Sequence, residues 1–95
     1  MITFMVRMTF AQEDRADVAE TLRALAVASR QEAGCATYIP HYVEGTPDTV
    51  LIYEQYRDRA ASEFHRTTPP FKKFAVGGLF QLMRERAVEN LTAVV

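Results

Sequence analysis

The sequence predicts an α+β domain of ferredoxin-like order, β-α-β-β-α-α-β, with a four-stranded antiparallel sheet. Three observations carry this reading. The spacing of apolar residues switches from two to 3.6 and back along the chain. The link between the two middle strands is too short for anything but a hairpin. Strands one and three are apolar on both faces, although helices on one side of a sheet can cover only one of them.

The opening segment alternates, with Ile2, Phe4, Val6, Met8 and Phe10 on one side and Thr3, Met5, Arg7 and Thr9 on the other, which is the period of a strand. "EDRADVAETLRALAVASRQEAG" (13–34) changes the period: Val18, Leu22, Leu25, Ala26 and Ser29 fall on one helical face. Asp14, Asp17 and Glu20 lie toward the end where the helix dipole favours acids. Gly34 is suited to a left-handed helix terminus. "CATYIPHYVE" (35–44) reads as the second strand, and Pro40 within it implies an edge position or a bulge. "GTPD" (45–48) is a turn and "TVLIYEQYR" (49–57) the third strand. Asp58 caps a short helix to about Thr67, and Pro69–Pro70 start another through "PFKKFAVGGLFQLMRER", with Phe71, Phe74, Ala75 and Leu82 on one side and Gly77–Gly78 weakening its middle. "AVENLTAVV" ends the chain as a fourth strand. No internal repeat, low-complexity tract or linker interrupts this order, so residues 1–95 read as a single domain.

A chain of 95 residues has a small core, and Cys35, its only cysteine, can supply neither a disulfide nor a structural zinc site. Strand three sets Val50 and Ile52 on one face against Leu51 and Tyr53 on the other, and Met5 opposes the main apolar row of strand one. The uncovered face is an apolar patch that a second copy would bury, so a homodimer is expected. With 11 basic and 12 acidic residues and a net charge of −1, no nucleic-acid footprint is visible. "MITFMVRMTF" lacks a positive leader and a small-residue cleavage site and is interrupted by Arg7. No apolar run approaches the ~20 residues of a membrane span. A soluble, cytoplasmic protein without nucleic-acid or membrane partners is the expectation.

Two stretches carry chemistry. Glu54 and Tyr56 share a strand face with Val50 and Ile52, where a carboxylate must either reach water or be paired. His65 follows Ala61 by one helical turn, so a helix folding back on its strand brings His65 toward Glu54 or Tyr56. Each has an alternative: His65 as a satisfied structural residue, Glu54 as a partner for a backbone amide or an arginine of a second subunit. His41, beside Pro40, reads as a strand-surface residue. Phe71, Phe74, Phe80 and Met83 suit either an apolar pocket wall or plain core, and Cys35 a small buried hydrophobe. Two histidines and scattered carboxylates make no convincing metal set.

In this order, "RQEAGCATYIP" (30–40) and "IYEQYRDRAASEFHRTTPPF" (52–71) resemble the antibiotic biosynthesis monooxygenase family, dimeric α+β barrels that include small quinol monooxygenases. The first matches the family's Glu-x-Gly-Cys-x-x-Tyr. The second matches Tyr-Glu-x-aromatic, then Asp, Ala-x-x-x-His and Thr-Pro-x-Phe. The resemblance spans nearly the whole chain and is specific for the family, though not for a substrate. It departs at Glu13–Asp14, where the family often has Pro-Gly. It implies oxidation of a small aromatic or quinol-type substrate by dioxygen, with no flavin, haem or metal cofactor, in a pocket between helices and sheet. His65 is then the candidate base, Glu54 its orienting acid, and Tyr38, Tyr56, Phe71 and Phe74 the candidate substrate contacts. Such chemistry begins with removal of a phenolic proton, and an imidazole, with an unperturbed pKa of ~6.5, suits that step. Haem-degrading relatives carry Asn, Trp and His where this sequence has Arg7, Tyr56 and Ala75, which counts against haem. A non-catalytic barrel that binds a small molecule or a partner protein, and an isomerase on the same scaffold, remain open.

Overall fold

The computed structural model describes residues Met1–Val95. Strand β1 (Ile2–Thr9) leads through a single 3₁₀ turn (Gln12–Asp14) into helix α1 (Arg15–Arg30). Strands β2 (Cys35–Val43) and β3 (Thr46–Tyr56) form the hairpin, and helix α2 (Arg59–His65) follows. A π-helix (Phe71–Leu79) continues into one α-helical turn, α3 (Phe80–Leu82), before β4 (Glu85–Leu91). The sheet order is β2-β3-β1-β4, with every pair antiparallel. This is the ferredoxin-like α+β order.

Register fixes which side chains face the helices. Phe4, Val6 and Met8 of β1 stand opposite Glu54, Ile52 and Val50 of β3, one row directed inward. Val18, Leu22, Leu25, Ala26 and Ser29 of α1 are buried against that row, the stripe expected from their spacing. Ala75 and Leu79 of the π-helix complete the core. Pro40 lies on the edge strand β2, opposite Ile52 of β3. On the opposite face, Met5, Leu51, Tyr53 and Ile39 are covered by no helix, and Ile39 is 43% exposed.

Four local expectations need correction. Gly34 does not adopt a left-handed conformation, since Gly45 alone has a positive φ, +79°. Gly34 is required by space: a Cβ there would collide with Cβ of Ala61. The hairpin turn is Glu44–Gly45, with Gly45 supplying the positive φ, so β3 begins at Thr46 rather than after Asp48. The helix after Pro70 is a π-helix, closed by a bond from the Phe80 amide to the Ala75 carbonyl. Its wider turn carries the buried stripe through Ala75 and Leu79 and leaves Leu82 37% exposed. Gly77 and Gly78 do not break it; at Gly78 a Cβ would stand 3.2 Å from Cγ2 of Thr21, so the glycine admits close packing on α1.

Candidate functional site

The site forms where α2 folds back over the start of β2 and the end of β3. The Asp58 side chain accepts the Ala61 amide at 2.8 Å, starting the helix as the sequence predicts. Ala61, Ser62 and His65 are its buried face. Because Gly34 has no side chain, Ala61 seats directly on it, and the Arg57 amide donates to the Gly34 carbonyl at 2.8 Å. His65, one turn beyond Ala61, thereby reaches Glu32, two residues before Gly34. Its Nδ1 lies 2.9 Å from Glu32 Oε2. The Thr68 hydroxyl donates to the His65 carbonyl at 2.9 Å and accepts the Phe71 amide at 3.3 Å. This sets Phe71 edge-on to the imidazole, with ring centroids 5.1 Å apart.

A carboxylate accepts but does not donate, so the Glu32 contact places a proton on Nδ1, and in the neutral ring Nε2 is the acceptor. Nε2 lies 3.8 Å from Glu54 Oε1, beyond hydrogen-bond distance. His65 is 4% exposed and Glu54 5% exposed. Tyr56, fully buried beneath them, donates its hydroxyl to Glu54 Oε1 at 2.7 Å. Glu54 therefore sits in the paired state, not at a wet sheet end.

Burial pushes the Glu54 carboxyl up to about 7. The Tyr56 hydrogen bond and the nearby Arg86 oppose that rise, and the Glu32 charge reinforces it. Burial and then the Glu54 charge raise the phenols of Tyr38 and Tyr56, so both stay protonated donors. Burial likewise raises the Cys35 thiol, which makes it a poor nucleophile. The result is an imidazole with a carboxyl on either side, one of them poised to exchange a proton near neutral pH.

A cavity of about 60 Å³ opens beside this group, lined by Tyr38, Glu54, His65, Phe71 and Phe80 with Val6, Met8 and Leu79 behind. Of the residues singled out by sequence, His65, Glu54, Tyr38 and Phe71 share it. Tyr56 supports it from beneath, at 5.2 Å between its ring centroid and that of His65. Phe74 does not reach it. The π-helix turns Phe74 toward α1, where it lines a shallow groove with Ala24 and Val27. Glu32 was the residue sequence reasoning missed. Its signal was an acid just past the C-terminus of α1, where the helix dipole disfavours negative charge and a cation-capable partner is called for.

Residues 1–76 match the family model described as antibiotic biosynthesis monooxygenase. The chain belongs to this family. Its fold recurs in solved structures. A crystal structure of an antibiotic biosynthesis monooxygenase superposes with a TM-score of 0.92 at 24% identity, over 100% of both chains. PA3566 from Pseudomonas aeruginosa superposes with a TM-score of 0.90 at 31% identity, over 99% of this chain and 94% of that one. Rv0793 from Mycobacterium tuberculosis gives 0.89 at 23%, over 99% and 95%. The first and third comparisons, at 24% and 23% identity, speak for the fold alone. No functionally curated protein matches the chain.

Proposed function

We propose that this member of the antibiotic biosynthesis monooxygenase family is a cofactor-independent monooxygenase for a small aromatic or quinol-type substrate. The observation that carries the reading is His65, held at Nδ1 by Glu32 and lining a cavity walled by aromatic rings. Nε2 removes the phenolic proton, and Glu32 stabilises the imidazolium that forms. The phenolate passes an electron to dioxygen, and the radical pair combines at a ring carbon to give a hydroperoxide. Loss of water then leaves the quinone, so one phenol and one dioxygen yield one quinone and one water. Glu54, raised by burial to about 7, returns a proton to the departing oxygen in its protonated form, and Tyr38 and Phe71 bind the ring. Tyr56 holds Glu54 in place.

The same reading includes one domain over residues 1–95 that works as a homodimer, joined through the uncovered sheet face of Met5, Ile39, Leu51 and Tyr53. At roughly 25 cal/mol per Å² of apolar surface, a few hundred Å² per subunit would be a large share of the stability of so small a core.

A proton-transfer isomerase is the second reading, favoured by two acid–base groups on one cavity, His65 and Glu54. An oxygen electrode separates the two. Hydroquinones and naphthohydroquinones are offered to the protein, with their autoxidation subtracted. Oxygen uptake equimolar with a hydroxyquinone, which carries one more oxygen atom than the hydroquinone supplied, and with no hydrogen peroxide released, supports the monooxygenase. Conversion of a hydroxyketone without oxygen uptake supports the isomerase.

A further inference from the structure

The cavity beside His65 does not end in solvent alone. Phe4, Arg66 and Arg86 line both it and a second, wider groove of about 540 Å³ between α2 and β4. That volume is within the range of small-molecule sites, ~300–1,000 Å³. Three guanidiniums face this groove from separate elements: Arg59 at the start of α2, Arg66 just past its end, and Arg86 on β4. Glu63 is the sole carboxylate among its lining residues, and none of the three arginines forms an ion pair.

Arg86 is the most telling of them. Register sets it opposite Met8, so it occupies the inward row of the sheet, where its neighbour Val88 stands opposite Val6. Arg86 is exposed and has no acidic partner, so its guanidinium is free to meet an anion that enters the groove. Its guanidinium lies over the Phe80 ring at 5.3 Å, which fixes its direction without neutralising its charge. Arg66 and Arg86 are also near enough to Glu54 to favour its charged form against burial, so the two cations and the acid–base pair act on one continuous space.

We propose that this groove binds an oxyanion substituent of the substrate, a carboxylate or a phosphate, through Arg66 and Arg86 with Arg59 at its outer edge, leaving the ionisable end of the same molecule at His65. The inference rests on the reading of His65 as the acid–base group and adds the substrate class to it. Planar guanidinium forks match both oxyanions, and two of them converging from different elements discriminate against a neutral ring of the same size. The substrate is then bipolar: the hydroxyl-bearing edge of a ring at the mouth of the inner cavity and an anion in the wider groove about one ring's length away.

Equilibrium binding tests this with three probes of one ring size: 4-hydroxybenzoate, 4-hydroxyphenyl phosphate and neutral hydroquinone. Titrations are followed by amide and arginine side-chain NMR. At low salt at least one anionic probe should bind about 10-fold or more tighter than hydroquinone, the usual scale of a charge-assisted pair. The tighter of the two identifies the oxyanion. Added salt should erode the preference in the unaltered protein, and Arg66→Gln with Arg86→Gln should bring it near unity. Equal affinities, a preference that survives the double substitution, or no saturable binding of either anion would overturn the proposal. The titrations are run under argon, so they read binding apart from turnover. Anion preference without turnover therefore leaves this inference standing and removes the oxygenase reading, whereas oxidation of hydroquinone without anion preference does the reverse.

Discussion

Glu54→Gln isolates the electrostatics of the site. Glu54 is buried, its carboxyl accepts the Tyr56 hydroxyl, and burial raises it from 4.5 to about 7. The folded value is the higher one, so the native state holds the proton more tightly than the unfolded chain. The stability this contributes is fully present below about pH 4.5 and is lost as pH rises through about 7. A gap of about 2.5 pH units at ~1.4 kcal/mol each makes the change about 3 kcal/mol. Glutamine keeps an oxygen for Tyr56 and cannot ionise, so the variant lacks this loss. Relative to wild type it should gain about 3 kcal/mol between acid and mildly alkaline pH, a shift in the Tm difference of roughly 12 °C or more for a domain of this size. Thermal and urea unfolding of both proteins across that range reads it directly. Stability curves that run parallel through pH 7 would refute the burial argument and with it the assignment of Glu54 as a proton donor near neutrality.

The remaining predictions concern position and assembly. Glu32→Gln should lower kcat by about 10-fold or more through misplacement of the proton on His65, and imidazole nitrogen NMR should show loss of the Nδ1–H tautomer, which a purely structural role would not produce. Gly34→Ala should cost roughly 1–3 kcal/mol because its new methyl meets Ala61; Ala61→Gly in the same chain should recover much of that in urea unfolding. Light scattering should give the mass of a homodimer, and Leu51→Asp on the uncovered face should yield monomer; a folded wild-type monomer at micromolar concentration would contradict the sheet-to-sheet assembly.

Much of this was legible because apolar spacing in a small domain leaves few solutions. The buried stripe of α1 follows from 3.6-residue periodicity, and the inward row of Val50, Ile52, Glu54 and Tyr56 from strand alternation. Asp58 and Pro40 act through their own backbone chemistry, so their roles were readable locally. What failed depended on a contact between distant segments or on an uncommon helix. Gly34 looked like a helix terminus because its real constraint, Ala61, is 27 positions away. Phe74 was assigned to the pocket with ordinary helical spacing, and the π-helix rotates it out. Glu32 stood within a quoted motif without a role, since nothing near it in sequence announces His65. Arg86 has no role that the sequence alone suggests, and only the register with Met8 sets it on the inward row.

The central claim is that His65 Nε2 is the base. The most direct measurement is the rate of phenol-dependent oxygen consumption by His65→Ala against wild type, with circular dichroism and light scattering confirming that the variant keeps its fold and assembly. The account predicts a rate lower by about 10²- to 10⁴-fold, the usual contribution of a general base. Unchanged turnover in a folded variant would contradict it and return His65 to a structural role between Glu32 and Phe71.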